Sequence, residues 1–188
     1  MMKRRDAIKK ITVFTGGVIF LSTGMMSSCK SPRDRISDED VLLLDEIGET
    51  IIPQTSDCGG ARAAKIGLYM KVMFDECLST QERKVFLDGL VKFEAAAREK
   101  FKTDFLDLDS AEKKELFLGL QGEAARYGMN QGKVAGSLHY FDLFKKMTID
   151  GYFTSEIGAT KARRYQAVPG QFKGCISYVK GDRAWATS

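Results

Sequence analysis

Residues 79–93, Ser79-Thr80-Gln81-Glu82-Arg83-Lys84-Val85-Phe86-Leu87-Asp88-Gly89-Leu90-Val91-Lys92-Phe93, decide the fold class. Ser79 followed three residues later by Glu82 is a capping box. The hydroxyl can accept from the third helical amide and the carboxylate can reach back to the amide of the cap, so two donors with no partner inside a helix are satisfied. Beyond the box, Val85, Phe86, Leu90 and Phe93 recur on one helical face instead of alternating, which predicts a helix to about Lys100.

The same signals repeat outward from this stretch. Upstream, Ser37-Asp38-Glu39-Asp40 resembles a second capping box, and Leu43, Leu44, Ile47 and Ile51 follow at helical spacing until Pro53 stops the run. After a loop at 54–60, a second helix is expected over about 61–78, with Ile66, Tyr69, Met70, Met73, Phe74 and Cys77 on its buried side. Downstream, Asp109 with Glu112 opens a fourth helix through Leu116, Phe117 and Leu120, whose end is blurred by Gly119, Gly122 and Gly128. A fifth is expected from Lys133 to about Thr148, carrying Val134, Leu138, Phe141, Phe144 and Met147. Residues 151–188 show no sustained period and read as an extended, loop-rich tail. The expectation is therefore an all-α single domain of about five helices with a C-terminal tail. At 188 residues and 44% hydrophobic composition, the chain can bury one ordinary core.

Charge is distributed unevenly. The formal net charge of +4 sits entirely in residues 1–28, where Lys3, Arg4, Arg5, Lys9 and Lys10 face Asp6 alone, and the rest of the chain is balanced. Nucleic-acid binding would need an excess of cations on the folded part, so it is not expected. Within the balanced part, residues 161–188 hold six Lys and Arg against Asp182, which leaves 29–160 net acidic. The tail should dock on an acidic surface, either that of its own helices or that of a partner.

Residues 1–28 read as an export signal. A basic head precedes an apolar run from Ile11 to Met26 that is short and broken by Gly16, Gly17 and Gly24, unlike a permanent membrane helix. Arg4-Arg5 followed by Asp6-Ala7-Ile8-Lys9 matches the twin-arginine pattern, through which a passenger crosses already folded; an ordinary secretory signal is the plainer alternative. Met26-Ser27-Ser28-Cys29 has the form of a lipoprotein processing site. Lipidated Cys29 would anchor the chain to a membrane on the periplasmic side of the envelope, with residues 29–37 as a polar tether.

Residues for catalysis are scarce. His139 is the one histidine, so neither a multi-histidine metal site nor a haem attachment sequence can be built. No glycine-rich phosphate loop occurs. Asp38, Glu39, Asp40, Asp45, Glu46 and Glu49 lie along amphipathic segments and read as a solvated helix face. No catalytic, cofactor-binding or metal-binding residue is nominated.

Export would place Cys58, Cys77 and Cys175 in an oxidising compartment. Cys58 and Cys77 flank one predicted helix and would stand more than about 20 Å apart at roughly 1.5 Å per residue, too far for a disulfide. The preferred pairing is Cys77 with Cys175, stapling the tail to the helices. A bond to a partner chain, or three reduced thiols, are the alternatives.

Two stretches resemble the gluconate 2-dehydrogenase subunit 3 family. One is Leu44-Asp45-Glu46-Ile47-Gly48-Glu49-Thr50-Ile51-Ile52-Pro53 with Gly60-Ala61. The other is Gly151-Tyr152-Phe153-Thr154-Ser155-Glu156-Ile157-Gly158-Ala159-Thr160 with Arg164-Tyr165, Val168-Pro169-Gly170 and Gly174-Cys175. The resemblance spans about residues 38–180, leaving 181–188 as a C-terminal end. It implies a non-catalytic small subunit that binds a large FAD-dependent sugar dehydrogenase of the glucose-methanol-choline type and escorts its folded export, with a cytochrome c or another acceptor taking the electrons. No cofactor is implied in this chain. Cys58 departs from the family, which tends to carry a proline before Gly-Ala. Tyr152, Phe153, Glu156, Arg163, Arg164, Tyr165, Pro169 and Phe172 are the candidate partner-binding residues, because aromatic rings and arginines are the usual interface anchors. A lid of rings folded back on the helices, or a stand-alone lipoprotein scaffold for another envelope complex, are the alternatives.

Overall fold

Among the described residues five α-helices carry the fold, and their ends follow from caps. The computed structural model describes residues 34–131, 138–168, 170–171, 174–175, 177 and 179–186. Helix α1 (Asp38–Ile51) starts at the predicted box: the Asp40 amide donates to Ser37 Oγ at 3.2 Å, and the Ser37 amide donates to Asp40 Oδ2 at 2.7 Å. It closes with the Ile52 amide on the Gly48 carbonyl, one residue before Pro53. Helix α3 (Thr80–Phe101) opens on the Ser79–Glu82 box and stops at Lys102, whose φ of 62° is left-handed.

Helix α4 (Ser110–Gln131) starts where Asp109 Oδ1 accepts from the Ala111 and Glu112 amides, both at 2.8 Å. It runs through Gly119, Gly122 and Gly128, where an added Cβ would meet nothing within 4 Å. These glycines face open space and each weakens the helix by only about 1 kcal/mol, which packing of Leu116, Leu120 and Ala124 offsets.

Two boundaries differ from the sequence expectation. Helix α2 (Ile66–Glu76) begins five residues late, because residues 61–65 form turns and Lys65 sits at φ 55°, outside the right-handed helical region. Cys77, expected on its buried side, is the exposed residue that ends it. Helix α5 (Tyr140–Thr154) also begins later and extends further. His139 caps it, its Nδ1 accepting from the Phe141 amide at 3.3 Å, and residues 132–137 lie outside the described ones. The helix continues through Gly151-Tyr152-Phe153, so the second family-like stretch opens inside a helix and not in a tail. A short π-helical segment, Gly158–Ala162, follows.

Helix α5 packs against each of the other four helices. Its Phe144 meets Phe86 of α3 and Tyr140 of its own helix, and its Phe141 meets Phe117 of α4, which touches Phe93 and Phe105 edge-on or stacked. Phe74, Phe86, Phe93, Phe105 and Phe144 are fully buried, so this aromatic file along α5 is the centre of the core. Among the described residues there is no strand; a single backbone bridge joins Arg164 to Trp185. The all-α expectation holds.

Candidate functional site

Asp38 and Glu39 of α1 are exposed as expected, but Asp45, Glu46 and Glu49 are not a solvated face. They hold the chain that leads into α2. Glu49 accepts from the Gln54 amide through Oε1 at 2.7 Å and from the Arg62 amide through Oε2 at 2.9 Å, clamping both ends of the 54–62 loop. Glu46 is paired with Arg62 and, through Oε1 at 2.8 Å, with Lys113 of α4. The Glu46 and Lys113 side chains are only 18% and 13% exposed, so this bridge works at lower dielectric than a surface pair. Burial, and then the Arg62 charge, hold the Lys113 ammonium below its usual pKa.

Asp45 completes the set. Its Oδ1 accepts from the Gly67 amide at 2.7 Å, so a carboxylate on α1 caps the first turn of α2, which has no side-chain cap of its own. Burial raises the Asp45 pKa, and the Gly67 bond and Arg62 charge offset part of that rise. A side chain at position 67 would overlap the Val41 carbonyl oxygen, which explains the glycine there.

The second family-like stretch meets the first at this loop. Tyr152 of α5 is 3% exposed, and its hydroxyl donates to the Gly59 carbonyl at 2.8 Å while lying 3.2 Å from Cys58 Sγ. Burial, and then the Cys58 hydrogen bond, push the phenol up to about 12, so it remains a donor at physiological pH. Below Tyr152, Ser155 Oγ donates to the Tyr152 carbonyl at 2.7 Å and accepts from the Gly158 amide at 3.1 Å. Position 158 has no room for a Cβ, which would overlap the same Tyr152 carbonyl. The loop of the first stretch and the α5 end of the second are thus one hydrogen-bonded junction.

The candidate partner-binding residues divide around that junction. Tyr152 is a core residue and is unavailable to a partner, which corrects its assignment. Phe153 is half-buried under the Arg163 guanidinium, 4.2 Å from the ring centroid, and Glu156 is exposed. Arg164 lies 4.6 Å over Trp185, its Nη1 is 3.7 Å from Asp182, and its backbone pairs with Ala184 and Ala186 at 2.8 Å each. The backbone at Arg164 is therefore tied to that at 184–186, and Tyr165 beside it is 52% exposed. Pro169 and Phe172 lie outside the described residues, as do Arg4, Arg5 and Cys29.

The expected Cys77–Cys175 disulfide is not formed. Both are free and exposed, and Cys58 is free as well. Cys77 points away from the core because α2 ends there. The sequence reading also missed Asp45, Glu46 and Glu49 as holding groups. Their partners lie up to 67 residues away, at Lys113, and only the shared spacing of the family-like stretch marked them.

Among the described residues no three metal-ligating side chains come together, and no helix is long and apolar enough to cross a membrane. The described residues form a small helical domain in which Asp45, Glu46 and Glu49 of α1 hold the chain that leads into α2. Residues 38–170 match the family described as gluconate 2-dehydrogenase subunit 3, and the chain belongs to it. That family is one of subunits of a dehydrogenase complex. No curated protein and no solved structure matches the chain.

Proposed function

We propose that the chain is the non-catalytic small subunit of a periplasmic FAD-dependent sugar dehydrogenase complex. It binds the folded flavoprotein, of the glucose-methanol-choline type, and carries it across the membrane on its own twin-arginine signal at Arg4 and Arg5. Lipid on Cys29 then anchors it to the envelope. FAD belongs to the partner, and haem c, where present, to a third subunit. The observation that carries this reading is the use to which the family-like residues are put. Asp45, Glu46, Glu49 and Tyr152 are occupied in holding loop 54–62 and α5 together, so the family-like residues build the body of a subunit.

A pull-down in mild detergent from the native envelope, followed by mass spectrometry and an absorbance scan for flavin and haem, tests it. The expected result is a co-purifying FAD protein that disappears from the periplasm when Arg4 and Arg5 are replaced by lysine. A lone, colourless lipoprotein would overturn the reading in favour of a scaffold for another complex.

A further inference from the structure

His139 is the one histidine of the chain, and it serves in a role that depends on its charge. Its Nδ1 accepts from the Phe141 amide at 3.3 Å, so the ring itself caps the first turn of α5. Only the neutral imidazole, with its proton on Nε2, has a lone pair at Nδ1. The imidazolium carries a hydrogen there and opposes the amide hydrogen with one of its own. A cation at that place also meets the positive end of the helix dipole. Protonation therefore turns the cap from an acceptor into a repelling donor.

The surroundings decide which protonation state the fold prefers. The ring is half-buried beside Tyr127 of α4 and Tyr140, with centroids 5.4 and 4.4 Å away, on the wall of a cavity of about 460 Å³ between α3, α4 and α5. Among the described residues the charged groups lining this cavity are Asp88, Lys92 and Glu99 of α3 and Glu123 of α4, and Asp142 lies in the first turn of α5 itself. Burial holds the imidazole below its ordinary pKa; Asp142 and Glu123 favour the imidazolium, Lys92 opposes it, and burial outweighs them. Asp88, Lys92, Glu99 and Glu123 are exposed, so solvent screens their pull on the ring, whereas the cap bond is direct. The Tyr140 hydroxyl, pushed up to about 12 by burial and then by Glu123, keeps its proton throughout.

We infer that His139 is an acid-sensitive latch on α5: neutral, it closes the first turn; protonated, it leaves the Phe141 amide and the turn opens. The position gives the latch its reach. Helix α5 packs against each of the other four helices, and its first turn carries Tyr140 and Phe141, both buried. Opening that turn loosens Phe141 against Phe117 of α4 and Tyr140 against Gly89 of α3, where an added Cβ would lie 2.5 Å from the Tyr140 Cβ. The sign follows from the lowered pKa. Stability from the cap is complete above the ordinary value of 6.5 and is lost as pH falls through the lower folded value. The latch stands on this chain alone and does not depend on the flavoprotein reading.

The test uses the full chain in mild detergent. With one histidine, the ring proton resonances report His139 without overlap, and amide hydrogen exchange reports the first turn of α5. The ring should titrate below 6.5. Across that titration the protection factor of the Phe141 amide should fall about fivefold, the factor that corresponds to loss of a cap, while amides in the middle of α3 keep theirs. His139→Asn retains a capping oxygen that does not titrate, so its Phe141 protection should hold over the same range; His139→Ala should be poorly protected at both ends. A ring that titrates at or above 6.5 would mean that the carboxylates win, and overturns the inference. Unchanged Phe141 protection across the titration of the wild-type ring overturns it as well, with no variant needed. An equal acid-induced loss in His139→Asn assigns the effect to another group and overturns it too.

Discussion

The connection from α1 to α2 and the segment after Ala162 are both irregular backbone, yet they are held in opposite ways. The first is tied by three carboxylates of one helix to amides and cations from the loop, α2 and α4, and it is pinned from below by the Tyr152 hydroxyl. The second is tied only at its ends, through two backbone bonds and a cation over a ring, and its described residues Tyr165, Val168 and Val179 are exposed. Irregular backbone therefore has two uses in this domain. Where buried polar groups satisfy it, it stiffens the body; where it is exposed and only locally closed, it offers a surface.

Four measurements would break or sharpen that contrast. The largest effect should come from Tyr152→Ala, which removes a buried ring and leaves the Gly59 carbonyl without its donor; a loss of about 3–5 kcal/mol is expected by chemical denaturation. Tyr152→Phe isolates the hydroxyl and should cost about 1–2 kcal/mol. If Tyr152→Ala cost as little as a surface change, the junction would not be the stiff half of the molecule.

Glu46→Gln comes next. It leaves the largely buried Lys113 ammonium without its counter-charge, and about 1–3 kcal/mol of destabilisation is expected. A double-mutant cycle with Lys113→Met should return a coupling of about 1 kcal/mol, and additivity of the two would mean that the pair is only a surface contact.

Asp45 gives a smaller, pH-dependent effect. Its folded pKa lies above the ordinary value of 3.8, so the folded state holds this proton to higher pH than the unfolded chain does. Stability from this group is therefore greatest below about 3.8 and falls as pH rises to the folded value. Asp45→Asn keeps an oxygen acceptor for the Gly67 amide and should remove that falling component, raising stability relative to the parent above the window and not below it. Parallel pH profiles of the two proteins would contradict the assignment.

The smallest change in global stability should come from Trp185→Ala, within about 0.5 kcal/mol, because the side chain is 44% exposed and stacks on the partly exposed Arg164. Its effect should appear as faster trypsin cleavage after Arg163 and Arg164. A large drop in unfolding free energy would make this segment part of the core and erase the contrast between the two regions.

Legibility in the sequence follows the range of the interaction. Helices α1, α3 and α4 begin at boxes whose two members lie three residues apart, so Ser37 with Asp40, Ser79 with Glu82 and Asp109 with Glu112 announce their own starts. Helix α2 was placed too early because its cap, Asp45, is 22 residues upstream of the amide it serves. Helix α5 was stopped too early because Gly151 reads as a breaker, although its neighbour Tyr152 belongs to the buried face. Asp45, Glu46 and Glu49 look solvated from the sequence because amphipathic spacing places them off the apolar stripe. It carries no information about a loop folding back over them.

The sequence by itself determined the helical class, the capped helix starts, the apolar faces and the family, since each depends on residues close in the chain or on a specific run of them. The tertiary structure alone decided which carboxylates hold a loop, that Tyr152 belongs to the core, and that Cys77 and Cys175 stay apart. Those outcomes depend on groups brought within a few ångströms from distant positions, and pairing at that range follows from the packing of the helices and not from local spacing.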